Sequence, residues 1–340
     1  MAPTIFITGV SGYIGGQVLH DITEKHPEYQ IRSLVRTDEQ KQKIAAKYPS
    51  IQLAIGDLDS VEILKEEAAQ ADVVLRKYPY HDYKTLRLAH NIIELADADH
   101  VNVITTIISS LPKTSHYIQL SGAASVFTTE NGVGQATSKV WSDLADLTEI
   151  TTFDKSVWHA ITDQLVLSEG KKHGIRTALV IPPGVVGTGQ GQIKRASIAL
   201  PAYVAFAKGR GKGFKIGEGK NVNSLVHVRD LADALILLVE EAFEVNGKAD
   251  WGEKGVYYVE GGECEFDDVA KAIVKELVKQ GSLSAEDIDL LTAEQAKELH
   301  PYAELLWGSN MRVSGERIRA LGWKAKHGDV FATIPDLVAV

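Results

Sequence analysis

A glycine turn close to the start of the chain constrains the fold more than any other feature. The apolar residues 4–8 lead into Gly9, Gly12 and Gly15, and helical periodicity follows over residues 17–23. This order predicts a β-strand, a tight turn and a helix N-terminus, where the backbone can approach a ligand closely and unpaired N–H groups favour a phosphate. The turn therefore indicates a binding site for the pyrophosphate of a nucleotide cofactor.

Strand and helix patterns alternate along the first half of the chain. Strands are predicted over residues 4–8, 31–35, 51–55, 71–75, 116–120 and 176–181, with helical segments between them. Such alternation predicts βαβ crossovers and an α/β fold, a doubly wound parallel sheet with helices on both faces. Further along, helices are predicted over 231–243, 267–279 and 285–299, and a strand over 255–259.

The sequence pattern changes after Pro183, which indicates a second structural unit. We predict a cofactor-binding domain over residues 1–185 and a smaller α/β substrate lobe over 186–340. Residues 225–243, which include the amphipathic helix over 231–243, are predicted to return to the first domain.

Composition narrows the classes of partner. The 340 residues carry a formal net charge of −9, which argues against nucleic acid and anionic membranes as partners. Cys264 is the single cysteine, so the chain lacks an internal disulfide and a cysteine-based zinc site, and we predict no metal. No apolar run approaches the roughly 20 residues that span a bilayer. We expect a cytoplasmic protein that binds a small molecule, with a homodimer as one possible assembly.

Four motifs follow one another along the chain: the glycine turn, Gly56-Asp57-Leu58, the segment 181–187 and the segment 226–233. In this order they resemble the extended branch of the short-chain dehydrogenase/reductase superfamily, the epimerase/dehydratase-like proteins. The third motif is similar to that family's R-P-x-x-V-Y-G segment and the fourth to its V-H-V-x-D-L-A segment. The resemblance covers nearly the whole chain and implies a Rossmann fold that binds NAD(P).

The resemblance also implies contacts with the cofactor. Asp57 and Leu58 would border the adenine, and the end of the second strand would select between NAD and NADP, because an arginine there accommodates a 2′-phosphate. Arg36 stands at that point, so we predict NADP(H) in preference to NAD(H); a solvated arginine at a helix start is the alternative. The predicted cofactor-binding residues are Gly9, Ser11, Gly12, Tyr13, Ile14, Gly15, Arg36, Asp57, Leu58 and Pro182.

The chain departs from the family at the catalytic pair. Family members use a tyrosine as acid/base and a lysine four residues later, because hydride transfer to a carbonyl needs a nearby proton donor. Lys155 and His159 occupy those positions, and Ala123 stands where the family has a serine, with Ser121 close by. We predict His159, Lys155 and Ser121 as the catalytic residues; a packed or surface histidine is the alternative. Lys155 and Asp163 are expected to share a helix face with His159.

A second departure begins at Arg76. Where the family has a short loop, residues 76–97 form a basic and aromatic stretch that starts with Arg76-Lys77-Tyr78. Three interpretations stay open: a substrate-recognition lid, a structural insertion, or intron sequence retained in the reading frame. The triplet Arg-Lys-Tyr can be encoded with an embedded splice-donor-like sequence, and reads of the mature transcript that run through the segment would exclude the intron.

These observations favour an enzyme, an NADP(H)-dependent oxidoreductase that acts on a small carbonyl or enone. A sugar-nucleotide epimerase or dehydratase and a non-catalytic NADP(H)-sensing protein are the alternatives. Ile181 replaces the arginine of the family's R-P motif, which disfavours the sugar nucleotide. Two further sets of residues bear on the choice: a basic run that would hold a diphosphate (Lys208, Arg210, Lys212, Lys215) and additional proton donors (Tyr203, Asn223, His227).

Overall fold

The central sheet of the protein contains seven parallel strands, seen in a computed structural model that describes residues 2–76 and 100–339. Numbered along the chain, they are β1 (Thr4–Thr8), β2 (Gln30–Val35), β3 (Gln52–Ile55), β4 (Val73–Arg76), β5 (His116–Leu120), β7 (Arg176–Ile181) and β11 (Val256–Tyr258). Their order across the sheet is β3-β2-β1-β4-β5-β7-β11. The order reverses between β1 and β4, and ligands of doubly wound sheets bind at such a switch point. Apart from Arg76, the unusual segment 76–97 lies outside the described residues.

Helices cover both faces of this sheet. The first face carries α1 (Tyr13–Lys25), α2 (Asp38–Lys47) and α8 (Val228–Phe243), and the second carries α3 (Val61–Ala69), α4 (Val101–Ser110) and α6 (Ala160–His173). Both faces are apolar because successive side chains of a strand point to opposite sides of the sheet. In β1, Ile5 and Ile7 pack into the first layer and Phe6 into the second. The predicted doubly wound α/β fold is confirmed. In the described residues, no helix is long and apolar enough to cross a membrane.

The smaller sheets use mainly residues after 183. They pair β8 (Gly184–Val186) and β12 (Gly262–Glu265) with β10 (Val222–His227), β9 (Gly213–Ile216) with β13 (Ile288–Leu291), and β6 (Trp141–Ser142) with β14 (Val313–Ser314). The remaining helices are α5 (Leu147–Thr151), α7 (Ala199–Arg210), α9 (Phe266–Lys279), α10 (Ala293–Leu299), α11 (Glu316–Ala320) and α12 (Ile334–Val338).

A separate hydrophobic core forms beside these elements. Tyr203, Phe214 and Trp307 pack ring against ring at its centre. Two later elements belong instead to the large sheet, because α8 packs on α1 and β11 pairs with β7. We predict the return of residues 225–243 to the first domain, but we expect residues 255–259 in the second lobe. The boundary at residue 185 stays a prediction.

The predicted helix over residues 285–299 is wrong in its first half. Residues 288–291 form β13, which pairs in parallel with β9, and the helix begins only at Ala293. Thr292 caps that helix, since its hydroxyl accepts the backbone N–H of Gln295 while the Gln295 side chain accepts that of Thr292. This capping box starts a new helix, and the free edge of β9 supplies a partner for the strand.

Candidate functional site

Two backbone features of the glycine turn after β1 require glycine. Gly9 has φ 76°, a left-handed conformation that favours glycine. A Cβ on Gly15 would lie 2.2 Å from the carbonyl oxygen of Gly9, so only glycine lets α1 start against the turn. Gly12 is the N-cap of α1 and offers no side-chain cap, and the first turn of α1 has no acidic residue. The first N–H groups of α1 therefore suit an anion, and the turn fits the pyrophosphate of a dinucleotide.

Tyr13 joins this turn to the smaller sheets. Its buried hydroxyl lies 2.8 Å from the carbonyl oxygen of Val186 and 2.5 Å from that of Gly187, and burial raises the pKa of Tyr13. One turn later, the Gln17 side chain accepts the backbone N–H of Gln190 at 2.8 Å. Tyr13 is among the residues predicted to contact the cofactor. Its hydroxyl is used instead in hydrogen bonds between α1 and the end of β8. Its neighbours Ser11 and Ile14 are also buried.

Replacement of Tyr13 by phenylalanine is expected to lower the free energy of unfolding by about 1–3 kcal/mol, because the buried carbonyl of Val186 and the partly buried carbonyl of Gly187 lose a hydrogen-bond donor. Urea unfolding measures the change. Tyr29→Phe is the matched control, because the Tyr29 hydroxyl makes no hydrogen bond within the described part of the chain. Equal losses in both variants would contradict a stabilising role for the Tyr13 hydroxyl.

Arg36 lies exposed at the carboxyl end of β2. Its backbone N–H donates to Gln40, and within residues 2–76 and 100–339 its guanidinium has no hydrogen bond or ion pair. Arg32, on the same strand, is instead held by Glu67 at 2.6 Å. A free guanidinium at this position suits a phosphate group, which it can bind through two parallel hydrogen bonds.

Asp57 lies at the carboxyl end of β3, beyond Gly56. Its carboxylate accepts hydrogen bonds from the Ser60 hydroxyl at 2.8 Å and the Asp59 backbone at 3.1 Å. The Ser60 hydroxyl lowers the pKa of Asp57. Leu58 packs partly against the second layer of the core. These bonds fix a tight turn beside Arg36, at the same edge of the sheet as the glycine turn.

Arg36→Ala is expected to weaken NADPH binding about 10- to 100-fold and to leave NADH binding nearly unchanged. The variant removes a charge-assisted contact to the 2′-phosphate, and such contacts contribute about 1.5–3 kcal/mol. Calorimetric titration with both cofactors measures the two affinities. Lys47→Ala removes one charge from the far end of α2 and is expected to change neither. Parallel losses for NADPH and NADH in Arg36→Ala would contradict recognition of the 2′-phosphate.

A polar cluster occupies the carboxyl end of β5. The Ser121 hydroxyl donates to the carboxylate of Asp163 at 2.9 Å, and Asp163 lies on α6. The imidazole of His159 lies against Gly122, where an added Cβ would be 3.2 Å from its Nε2. Because β5 is separated from β1 only by β4, the cluster and the glycine turn share one edge of the sheet. The structure therefore brings two of the three predicted catalytic residues, Ser121 and His159, to adjacent positions.

His159 has an unusual backbone. Its φ of 66° is the one positive φ outside glycine in residues 2–76 and 100–339. Left-handed backbone is unfavourable for a residue with a side chain, and such strain is concentrated at functional sites. The carbonyl of His159 accepts the N–H of Asp163 at 2.9 Å, which starts α6.

The predicted helix face shared by Lys155, His159 and Asp163 is wrong. Helix α6 begins at Ala160, and Lys155 lies before it in an irregular segment. The Asp154 carboxylate accepts the backbone N–H of Ser156 at 2.9 Å and its hydroxyl at 2.6 Å. This local turn competes with a helix. The Lys155 side chain is exposed and has no partner among the described residues, so the structure does not bring it to His159.

Pro182 lies next to the cluster, since its carbonyl accepts the N–H of Ala123 at 3.0 Å. Gly122 and Asp163 were not predicted as site residues. The signal for Gly122 is a glycine two residues after a buried strand, beside a family motif.

The second-lobe candidates for proton transfer have structural contacts. The Tyr203 hydroxyl donates to the Phe214 carbonyl at 2.7 Å. The Asn223 amide donates to the Ser309 carbonyl at 3.3 Å. His227 caps α8 by accepting the backbone N–H of Arg229, and burial lowers its pKa to about 4. None of these three contacts lies at the β5 cluster.

Each cation of the basic run in the predicted second lobe has a partner, and for three of the four the partner is a carboxylate. Arg210 and Lys212 both contact Asp289, at 2.6 and 2.8 Å, and Lys215 contacts Asp267 at 2.7 Å. Lys208 donates to the carbonyl of Val338. These four cations therefore have partners nearby, in contrast to the Arg36 guanidinium, which has none among the described residues.

The chain is similar to several known proteins. The sequence profile of the NAD dependent epimerase/dehydratase family matches residues 5–251. Oxidase ucsJ from an Acremonium species is 31% identical over 335 residues, which cover 95% of this chain and 93% of the oxidase. UDP-glucose 4-epimerase of Azospirillum brasilense is 25% identical, over 69% of this chain and 68% of the epimerase. The crystal structure of DesIV, a dTDP-glucose 4,6-dehydratase from Streptomyces venezuelae, superposes with a TM-score of 0.66 at 15% identity, over 99% of this chain and 96% of DesIV.

Proposed function

The chain belongs to the NAD dependent epimerase/dehydratase family, and we propose that it is an NADP(H)-dependent oxidoreductase acting on a small carbonyl or enone. The observation that carries the proposal is the imidazole of His159 against Gly122, beside Ser121, at the sequence position of the family's catalytic lysine. An imidazole is a suitable proton donor and acceptor. The 31% identity to an oxidase, over 95% of this chain, supports redox chemistry.

The residues that would hold the cofactor fit a dinucleotide. Gly9, Gly12 and Gly15 would form the pyrophosphate cradle, and Arg36 would contact the 2′-phosphate. When bound, a nicotinamide dinucleotide exchanges a hydride with carbon. Several similar structures are complexes with NAD, including that of a dTDP-glucose 4,6-dehydratase from Bacillus anthracis. The preference for NADP(H) therefore rests on Arg36.

Protein side chains supply the proton chemistry in this proposal. His159 would give a proton to the substrate oxygen during reduction and take one during oxidation. The Ser121 proton points to the Asp163 carboxylate, an acceptor-only group when ionised. Ser121 would therefore present oxygen lone pairs to the substrate and accept a hydrogen bond from it, while His159 contacts the reacting oxygen.

The charges of the second lobe support an uncharged substrate. A sugar nucleotide brings two negative phosphates, which binding sites neutralise with arginine or lysine. Arg210, Lys212 and Lys215 are each paired with an aspartate instead.

A sugar-nucleotide epimerase or dehydratase is the second candidate. The family match over residues 5–251 and the 25% identity to a UDP-glucose 4-epimerase favour it. The missing tyrosine and the paired cations disfavour it. A cytoplasmic location and a homodimer stay predictions from the sequence.

Turnover assays distinguish the candidates. Purified protein is incubated with NADPH and a panel of small aldehydes, ketones and enones. In parallel it is incubated with UDP-glucose or dTDP-glucose and with NADP+ or NAD+, because the sugar must first give a hydride to the oxidised cofactor. We expect consumption of NADPH with one class of carbonyl and no conversion of either sugar nucleotide. Conversion of a sugar nucleotide would favour the second candidate. Binding of NADPH without turnover of any compound would favour the non-catalytic sensor.

A further inference from the structure

We propose that Gly122 is a positioning residue for His159, and that position 122 lacks a side chain so that the imidazole can lie at the carboxyl end of β5. The inference rests on the proposed function, because it matters for activity only if His159 transfers a proton. It assigns a role to a residue outside the predicted catalytic set.

The backbone of Gly122 does not require glycine. Its φ of −158° and ψ of 146° are extended and open to any residue. Outside its chain neighbours, an added Cβ would have just two described heavy atoms within 4 Å, Nε2 of His159 at 3.2 Å and Cδ2 at 3.6 Å. In the described part of the chain, the space beside Gly122 is therefore filled by this imidazole alone.

The backbone of His159 supports the same conclusion from the other side. A helix N-cap ordinarily has extended backbone, but His159 is left-handed at φ 66°. Its carbonyl is fixed in this position by the Asp163 N–H at 2.9 Å and the Thr162 hydroxyl at 3.1 Å. The fold thus tolerates an unfavourable conformation at 159 and an absent side chain at 122, and both place one imidazole beside Ser121.

A methyl group at position 122 would displace the ring by a few tenths of an ångström, since 3.2 Å is tighter than an ordinary carbon–nitrogen contact. Proton transfer is sensitive to such shifts, and a misplacement of about 1 Å can cost about 100-fold in rate. We expect Gly122→Ala to lower kcat about tenfold and to leave the KM for NADPH unchanged. Gly122→Val, with a bulkier side chain, should lower kcat further.

A double-mutant cycle tests the inference with four proteins: wild type, Gly122→Ala, His159→Asn and the double variant. Histidine-selective NMR gives the signal of the His159 ring, assigned by its loss in His159→Asn, and urea unfolding gives the midpoint. We expect Gly122→Ala to shift that ring signal and to lower kcat. In the His159→Asn background, Gly122→Ala should lower kcat no further. There it should raise the midpoint of urea unfolding, because alanine in an extended position restricts the unfolded chain.

Gly209→Ala is the matched control, since Gly209 lies on α7 and a Cβ there would meet no described atom within 4 Å. Its His159 signal and kcat should equal those of the wild type. An unchanged His159 signal in Gly122→Ala, or an equal midpoint shift in both backgrounds, would overturn the inference. The NMR and unfolding readouts need no substrate, so a failure of the proposed oxidoreductase activity is distinguishable from a failure of this inference.

Discussion

Replacement of Gly15 by alanine is expected to weaken dinucleotide binding at least about 100-fold, a loss of about 2.7 kcal/mol. The new Cβ would lie 2.2 Å from the carbonyl oxygen of Gly9 and 2.7 Å from its carbonyl carbon. Both are backbone atoms, so no side-chain rotation relieves the clash. Either α1 moves away from β1 or the turn opens, and each change displaces the N–H groups that the pyrophosphate needs. Calorimetric titration of the variant with NADPH measures the loss.

Gly209→Ala again provides the control, because it adds the same methyl group where no described atom lies within 4 Å. It should bind NADPH as the wild type does. Circular dichroism of Gly15→Ala separates a local effect from unfolding, and we expect the helical signal to be retained at low temperature. Binding of NADPH within threefold of the wild type would show that the cofactor uses another part of the protein.

His159→Asn is expected to lower kcat by about 100- to 10,000-fold, the range that general acid–base catalysis contributes. Asparagine is enriched in the left-handed region and so preserves the backbone at φ 66°, but it cannot carry the proton. Stability and NADPH affinity should therefore stay close to the wild type. The measurement is kcat with the most active compound of the carbonyl panel.

The control for this variant is His173→Asn. His173 ends the same helix, 30% of its side chain is exposed, and it contacts Glu169 rather than the cluster. We expect its kcat to be unchanged. A His159→Asn enzyme that retains more than half of the wild-type kcat would assign proton transfer to a different group.

The fold was predictable because its determinants are local. The spacing of Gly9, Gly12 and Gly15 and the alternation of apolar strands with helices are visible within short windows of sequence. Right-handed crossovers then leave few ways to arrange such a chain. The observed order of β3, β2, β1, β4 and β5 follows from them.

The errors have non-local or competing causes. Residues 285–299 contain helix-forming side chains, but residues 288–291 find a partner in β9, which lies more than seventy residues earlier. The helix expected around Lys155 is interrupted by the side chain of Asp154, which bonds Ser156 and favours a turn. The helical periodicity of the apolar residues reveals neither the distant strand nor the local turn.

Only part of the candidate site could be predicted from the sequence. His159 was predicted because it stands at the position of the family's lysine, and Ser121 because it lies close to Ala123, which occupies the family's serine position. The contact of His159 with Gly122 depends on a left-handed residue, and the pair of Ser121 and Asp163 joins groups 42 residues apart. Both are tertiary contacts, and a single sequence gives no information on them.

Transfer of deuterium tests the central claim most directly. NADPH carrying deuterium at both hydrogen positions of the reactive nicotinamide carbon is incubated with the protein and the most active carbonyl compound, and the product is examined by mass spectrometry. The account predicts one deuterium on the product carbon, with about 100-fold slower incorporation in His159→Asn. Conversion of UDP-glucose or dTDP-glucose in a parallel assay with NADP+ or NAD+, or bound NADPH that transfers deuterium to no compound of the panel, would contradict it.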